Sequence, residues 1–150
     1  MDKIYIKWIP EELMLYSRLS GVIGIEENIL WKRGLYLEHG KIEKNGIFKM
    51  ALDVRGYEFA NIEAHKFHRT IIPFFLAENN LTLSTLIDDD LVELKKGAQP
   101  CGKKCLAVAM IHHDLEKMEN LDRTYGTATE RYFHDYDEGY AWIRGINAQR

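Results

Sequence analysis

The sequence predicts an α/β protein with a mixed, mostly parallel sheet, and three patterns support this prediction. Residues 105–111 are an unbroken apolar run, which is typical of a parallel strand buried on both faces. The chain after this run alternates between helical and strand patterns, as a parallel sheet covered by helices requires. Near the N-terminus, residues 3–8 alternate between polar and apolar side chains, which indicates a strand with one buried face. We therefore expect an N-terminal antiparallel hairpin joined to a parallel sheet, with helices packed on it.

Length and charge favour a single domain that does not bind nucleic acid. The chain has 150 residues, of which 46% are hydrophobic and 29% charged, so we assign residues 1–150 to one domain of common size and composition. Its formal net charge is −3, and it contains no block of basic residues. Nucleic-acid-binding proteins concentrate lysine and arginine on one face, and this sequence does not predict such a face.

No segment of the sequence suits a membrane span or a secretory signal. The longest apolar stretch, residues 71–77, contains Pro73, whereas a membrane-spanning helix needs about 20 apolar residues. The N-terminus has no hydrophobic region of the kind that a signal peptide contains, so we expect a cytoplasmic protein. Cys101 and Cys105 form one C-x3-C spacing without a second pair, which predicts two free thiols.

The first half of the chain is predicted to form a hairpin, a helix and a strand. A turn at Pro10 joins the alternating segments 3–8 and 13–19 into the hairpin. Residues 25–38 have helical composition, and residues 47–54 form the next strand. Three residues of this helix fall on one apolar stripe: Ile25, Ile29 and Leu30.

A second helix is predicted after Asn61, which is suited to cap its N-terminus. Pro73 lacks an N–H, so it should kink this helix or end it near Ile72. The apolar residues that recur at helical spacing on one face are Ala64, Phe67, Ile71, Phe74 and Phe75.

Residues 81–104 give the least regular pattern. Residues 81–87 alternate as a strand would, residues 91–96 could form a helical turn, and residues 97–104 resemble an exposed loop. Beyond the strand at 105–111, a helix from Asp114 to Gly126, a strand at 129–134 and a short helix opened by Asp137 complete the prediction.

This order of elements resembles the STAS domain, and more closely its SpoIIAA-like relatives of uncharacterised function. The match is carried by residues 15–24, by the strand Met50-Ala-Leu-Asp-Val-Arg-Gly56, by the apolar residues 106–110, and by residues 130–135 followed by Ala141 and Trp142. It covers nearly the whole chain, except that residues 88–104 look like an insertion or loop.

The resemblance implies a non-catalytic module that docks a protein partner, without a cofactor. Some STAS proteins are switched by phosphorylation of a serine just after the central strand, but here no serine or threonine follows Asp53 before Thr70. The phosphorylation switch is therefore not carried over. SpoIIAA-like folds also resemble the CRAL-TRIO lipid-binding fold, which implies a small apolar ligand. A homo-oligomer is also possible, because the edge at residues 3–8 could pair with another copy.

Aromatic side chains offer one candidate ligand site. They could line an apolar pocket, although aromatic residues in a small α/β core more often serve packing. The candidates are Trp31, Phe67, Phe74, Phe75 and Trp142.

Polar residues at the predicted strand ends offer a second candidate site. Histidine and aspartate that converge at one sheet edge can bind a divalent metal or transfer protons, so an enzyme using Asp53, His113 and His134 is the alternative to a binding module. The adjacent His112 and His113 should point to opposite faces of a strand, and Asp114 is suited to cap a helix, which favours a structural role and no metal. The remaining polar residues at these ends are Arg55 and Asp135.

His65, His68 and Arg69 share one face of the second predicted helix, since they are three and four residues apart. Such a face is usually solvated, but it could bind an anion or a partner. The sequence lacks the G-x-x-x-x-G-K-[ST], G-x-G-x-x-G and G-x-S-x-G motifs, so it does not support nucleotide binding or an α/β-hydrolase.

Overall fold

A computed structural model describes residues 2–86 and 88–147 of the chain. A short 3-10 turn, Pro10–Glu12, joins the first two strands. The strands are β1 (Ile4–Ile9), β2 (Met14–Leu19), β3 (Gly21–Ile23), β4 (Ile47–Asp53), β5 (Tyr57–Phe59), β6 (Lys104–Ile111) and β7 (Glu130–Phe133). The helices are α1 (Ile25–His39), α2 (Ile62–Glu78), α3 (Asp88–Gly97), α4 (Leu115–Tyr125) and α5 (Tyr136–Arg144).

The main sheet confirms the predicted fold class. Its five strands lie in the order β1-β2-β4-β6-β7, with β1 and β2 antiparallel and every other neighbouring pair parallel. A second, parallel pair consists of β3 and β5, which the sequence pattern does not reveal because each has only three residues. Among the described helices, none is long and apolar enough to cross a membrane.

Helices cover both faces of the central strands β4 and β6. Alternate residues of these strands belong to two separate apolar clusters, which places the clusters on opposite faces of the sheet. The larger cluster joins the sheet to α1 and α2 through Trp31 and Phe75. The smaller cluster joins the sheet to Ile143 of α5. The strand residues of the smaller cluster are the short side chains Ala51, Ala107 and Ala109 together with Met14.

The buried face of α1 is not the apolar stripe that the sequence indicates. Ile25, Ile29 and Leu30 are exposed. The residues that α1 buries include two polar side chains and are Asn28, Trp31, Leu35 and His39. A stripe prediction fails here because apolar residues occur on both sides of the helix, so the pattern alone does not identify the inner face.

Pro73 does not end α2, which continues to Glu78. The expected end near Ile72 is therefore wrong. The lost hydrogen bond and ring clash cost about 3 kcal/mol, whereas each large apolar side chain buried on the sheet contributes about 1.5–3 kcal/mol. The turns on both sides of the proline bury such residues, namely Ile71, Ile72, Phe75 and Leu76.

The strand predicted at residues 81–87 is also wrong for residues 81–86, and Ile87 lies outside the described residues. Leu83 is buried, and its neighbours Leu81 and Leu86 pack against the larger cluster. The backbone N–H of Ser84 donates to Oε1 of the buried Glu130 at 2.8 Å. This N–H is therefore bonded to a side chain and not to the backbone of a neighbouring strand. Beyond this loop, the predicted turn at 91–96 is part of the longer α3.

The predicted helix caps are mostly confirmed. Asn61 Oδ1 accepts the Ala64 N–H at 2.8 Å, and Asp114 Oδ1 accepts the Lys117 N–H at 3.0 Å. The last helix begins earlier than predicted, because Asp135 rather than Asp137 caps it.

Carboxylate side chains of two helices accept hydrogen bonds from backbone N–H groups at the two edges of the main sheet. Glu38 Oε1 accepts the Trp8 N–H of β1 at 2.8 Å, and Asp122 Oδ1 accepts the Tyr132 N–H of β7 at 3.0 Å. An edge whose donors are occupied and flanked by charge pairs poorly with another strand. The edge at residues 3–8 is thus obstructed at Trp8.

Replacing Gly139 of α5 by alanine should lower the free energy of unfolding by about 1 kcal/mol. An added Cβ would lie 2.9 Å from Cγ1 of the buried Ile111 and 3.2 Å from Cδ2 of Phe133. Overpacking costs about 1–3 kcal/mol, which exceeds the gain of about 1 kcal/mol from removing a helical glycine. Urea denaturation measures the difference.

Gly34→Ala in α1 is the matched control for this prediction. Its Cβ would meet only the end of the half-buried Ile6 side chain, which can rotate away. Gly34→Ala should leave stability unchanged or raise it, and equal destabilisation by both variants would contradict the close approach of α5.

Candidate functional site

Asp53 at the end of β4 is buried and fully engaged by hydrogen bonds. It accepts from the Arg55 side chain through Nε at 2.9 Å and Nη2 at 2.8 Å, and from the Arg55 backbone N–H at 3.2 Å. The Tyr16 hydroxyl donates to it at 3.3 Å. The hydrogen bonds with Asp53 raise the pKa of Arg55, and burial raises the pKa of Tyr16. The guanidinium of Arg55 lies 4.6 Å from the centre of the Tyr136 ring.

The neighbouring histidines accept hydrogen bonds from the backbone. His113 Nδ1 accepts the Gly56 N–H at 3.0 Å, and His112 Nδ1 accepts the Asp114 N–H at 3.0 Å. Their rings stack with centres 4.2 Å apart. The expectation that they face opposite sides is wrong because β6 ends at Ile111, so the alternation of a strand no longer applies. Burial, more than the nearby positive charge of Lys117, lowers the pKa of His112.

The strand-end residues of β7 are not drawn into the same cluster of hydrogen bonds. His134 is exposed, and Asp135 caps α5 by accepting the Glu138 N–H at 3.2 Å. Within residues 2–86 and 88–147, no group of three histidine, cysteine, aspartate or glutamate side chains is arranged to hold a metal ion. The polar strand ends therefore anchor the backbone at this edge of the sheet.

The five candidate aromatic residues do not line one pocket. Trp31 and Phe75 are buried in the larger cluster, where Trp31 Nε1 donates to Ser17 Oγ at 2.7 Å. Trp142 lies on the opposite face of the sheet, with its ring centre 5.8 Å from that of Phe133.

His68 lies between two aromatic rings instead of on a solvated face. Its ring stacks on Trp31 at 5.2 Å and on Tyr57 at 4.4 Å, and its Nδ1 lies 3.2 Å from Asn28 Oδ1. Burial lowers the pKa of His68 to about 4. The His65 ring lies tilted against that of Phe59, with centres 4.3 Å apart, while Arg69 is exposed.

A groove lies between α2 and α3. Its volume is about 510 Å³, and it contains the sequence candidates Arg69 and Phe74. Sequence reasoning missed its other wall because α3 was predicted only as a single turn. The full lining comprises Lys66, Arg69, Thr70, Pro73, Phe74, Leu86, Glu93 and Leu94.

A smaller groove of about 330 Å³ lies beside α1 and α2. It includes the candidate Phe67. The other residues that line it are Ile29, Lys32, Arg33 and Tyr36. Phe67 and Phe74 are seven residues, or about two turns of helix, apart, and they line separate grooves.

Comparison with solved structures shows that the chain has a SpoIIAA-like fold. It is similar over 93% of its length to an uncharacterised protein from Shewanella loihica PV-4, described as a DUF3478 family member with a SpoIIAA-like fold, with a TM-score of 0.50. The match covers 91% of that chain at 14% sequence identity, so the likeness concerns the fold alone. No family model and no curated protein matches the sequence.

His68 should make the protein less stable as the pH falls from about 6.5 to about 4. In this range the unfolded chain binds the proton and the folded chain does not, so stability from neutral His68 is complete above about pH 6.5 and is lost toward pH 4. Across this window the loss is about 2–3 kcal/mol.

His68→Phe keeps an aromatic ring in the stack and removes the proton acceptor. Its free energy of unfolding should therefore depend less on pH than that of the wild type, as measured by urea denaturation at about pH 7 and about pH 4.5. Parallel losses in the two proteins would show that His68 does not carry this pH dependence.

Proposed function

We propose that this protein is a non-catalytic binding module whose α2–α3 groove holds a small molecule with an apolar body and an anionic end. The size and lining of this groove are the observation that supports the proposal. Its volume of about 510 Å³ falls within the range of about 300–1,000 Å³ that is usual for small-molecule sites.

The walls of the groove suit the apolar body. Pro73 and Phe74 of α2 face Leu94 of α3, and Leu86 from the preceding loop joins them. Phe74 and Leu94 are only partly buried, so a ligand that covers them removes apolar surface from water.

The charges of the groove suit an anionic end. Lys66 and Arg69 are exposed and three residues apart on α2, so they lie on one side of the helix. Neither has an ion-pair partner within the described residues, whereas Glu93 on the other wall pairs with Lys96 at 3.8 Å. Two cations without an ion-pair partner among the described side chains favour a carboxylate, sulfate or phosphate group at this rim.

The arrangement of the strand ends supports a role without catalysis. An acid–base enzyme would need Asp53 and His113 available to a substrate, but Arg55 and Tyr16 engage Asp53, and the backbone of Gly56 engages His113. Two free thiols, Cys101 and Cys105, fit a reducing compartment, so we expect the module to act in the cytoplasm.

Dodecanoate should bind the wild-type protein, and a double variant K66Q/R69Q should bind it about tenfold more weakly because two charge-assisted contacts are lost. Isothermal titration calorimetry measures both affinities. Dodecanol, which has the same chain without the charge, should bind both proteins equally.

The matched control replaces two exposed cations of α4 in the variant K117Q/R123Q, which should bind dodecanoate as the wild type does. A Leu94→Asp variant should weaken both probes because it places a charge on the apolar wall. Absence of binding by dodecanoate and dodecanol, or equal losses in both double variants, would refute the proposed site.

A further inference from the structure

Helix α1 is apolar on the side that faces away from the protein. Its inner side is buried on the sheet, yet four further large apolar side chains are exposed by 39–66%, more than on any other described helix. They are Ile25, Ile29, Leu30 and Leu37. Exposed apolar side chains that group on one side of a helix often mark a surface that another molecule covers.

The exposed residues follow the spacing of a helix–helix seam. Glu26, Leu30, Arg33 and Leu37 are separated by four, three and four residues, which is the heptad spacing of a coiled-coil contact. Ile29 flanks this seam. The outer side of α1 therefore presents a seam from Glu26 to Leu37 in which charged and apolar residues alternate.

Two charges within this seam have opposite sign and no ion-pair partner among the described residues. They are Glu26 in the first turn and Arg33 two turns later. The other acidic residues of α1 are already used, because Glu27 accepts the Gly24 N–H at 2.8 Å and Glu38 accepts the Trp8 N–H.

We propose that the outer face of α1 binds a second copy of this chain, with the two α1 helices antiparallel about a two-fold axis between Ile29 and Leu30. In this register Glu26 lies opposite the partner's Arg33, and Arg33 lies opposite the partner's Glu26. At the axis Ile29 lies opposite the partner's Leu30, and Leu30 lies opposite the partner's Ile29. An interface of this kind is isologous, since one surface supplies both halves.

The charge pattern favours a second copy over a membrane surface. Insertion of this face into lipid would place the Glu26 carboxylate in an apolar medium without a partner, which is costly. An antiparallel copy instead supplies a guanidinium at that position. Pairing of the β1 edges is less suitable, because Glu38 already occupies the Trp8 amide.

Sedimentation velocity of the wild-type protein at about 100 μM should show a dimer, since a Kd of about 10 μM or tighter leaves most chains associated at this concentration. The single variants E26R and R33E should each weaken the dimer at least about tenfold, because like charges would then face each other. The double variant E26R/R33E should restore it.

Two further variants separate loss of the interface from loss of the fold. Leu30→Asp should give a monomer that unfolds at the wild-type temperature when both are measured at about 1 μM, where the wild type is also mostly monomeric, since Leu30 is exposed in the single chain. The control Leu115→Asp, which alters an equally exposed leucine of α4, should remain dimeric. A wild-type monomer at about 100 μM, a charge swap without rescue, or binding of α1 to anionic vesicles instead would overturn the proposal.

Discussion

Burial of both faces of β4 and β6 is the constraint on which the rest of the structure depends. Six of the seven residues of β4 are buried, so helices must cover the sheet on each side. The two sides meet this requirement differently. On one side α1 and α2 pack with large side chains such as Trp31 and Phe75. On the other side Ile143 of α5 packs with alanines of the sheet, and Gly139 brings α5 close to Ile111. The packing density at α5 leaves no room for an additional methyl group, while the α1–α2 side has grooves at its surface.

A second consequence of this burial is that the polar groups inside the protein must find partners there. Lys49 on β4 is buried, and its Nζ donates to the carbonyl oxygens of Arg144 at 2.9 Å and Ile146 at 3.4 Å, so it caps the C-terminus of α5. Burial lowers the pKa of Lys49. Glu130 accepts from Ser84 and from the Tyr132 hydroxyl. The same reasoning applies to Asp53, whose partners fix the turn that leads into β5. Polar residues at strand ends can thus look like a functional site in the sequence although their role is to hold the backbone in place.

How far the sequence predicts this protein depends on whether a pattern is local. The hairpin, the strand at β6 and the caps Asn61 and Asp114 follow from neighbouring residues, and they are confirmed. The errors arise where distant contacts decide. Residues 81–86 alternate as a strand does, but Glu130, far along the chain, takes the Ser84 amide. The helical spacing around Pro73 does not show that burial of the apolar side chains on both sides stabilises the helix by more than the proline destabilises it. The candidate site was predicted only in part, since Arg69 and Phe74 share a helix whereas Leu94 joins them through α3, of which only the turn at 91–96 was predicted.

The errors in α1 carry more information than the successes elsewhere. Local spacing predicts a single apolar stripe, and the structure buries a different face that includes Asn28 and His39. Those polar residues are tolerated inside because Ala64 accepts from Asn28 Nδ2 at 3.0 Å and Asn79 Oδ1 lies 2.8 Å from His39 Nε2. The inner face of α1 therefore does not contain all of the apolar residues of the helix. When a single chain folds, the apolar residues of the outer face stay exposed to water. Folding of one chain does not require that outer face to be apolar, whereas the proposed contact of α1 with a second copy would cover it. Both proposed recognition surfaces therefore lie on the helical layer formed by α1, α2 and α3, whereas Asp53 and His113 at the strand ends already bond to groups of the protein itself.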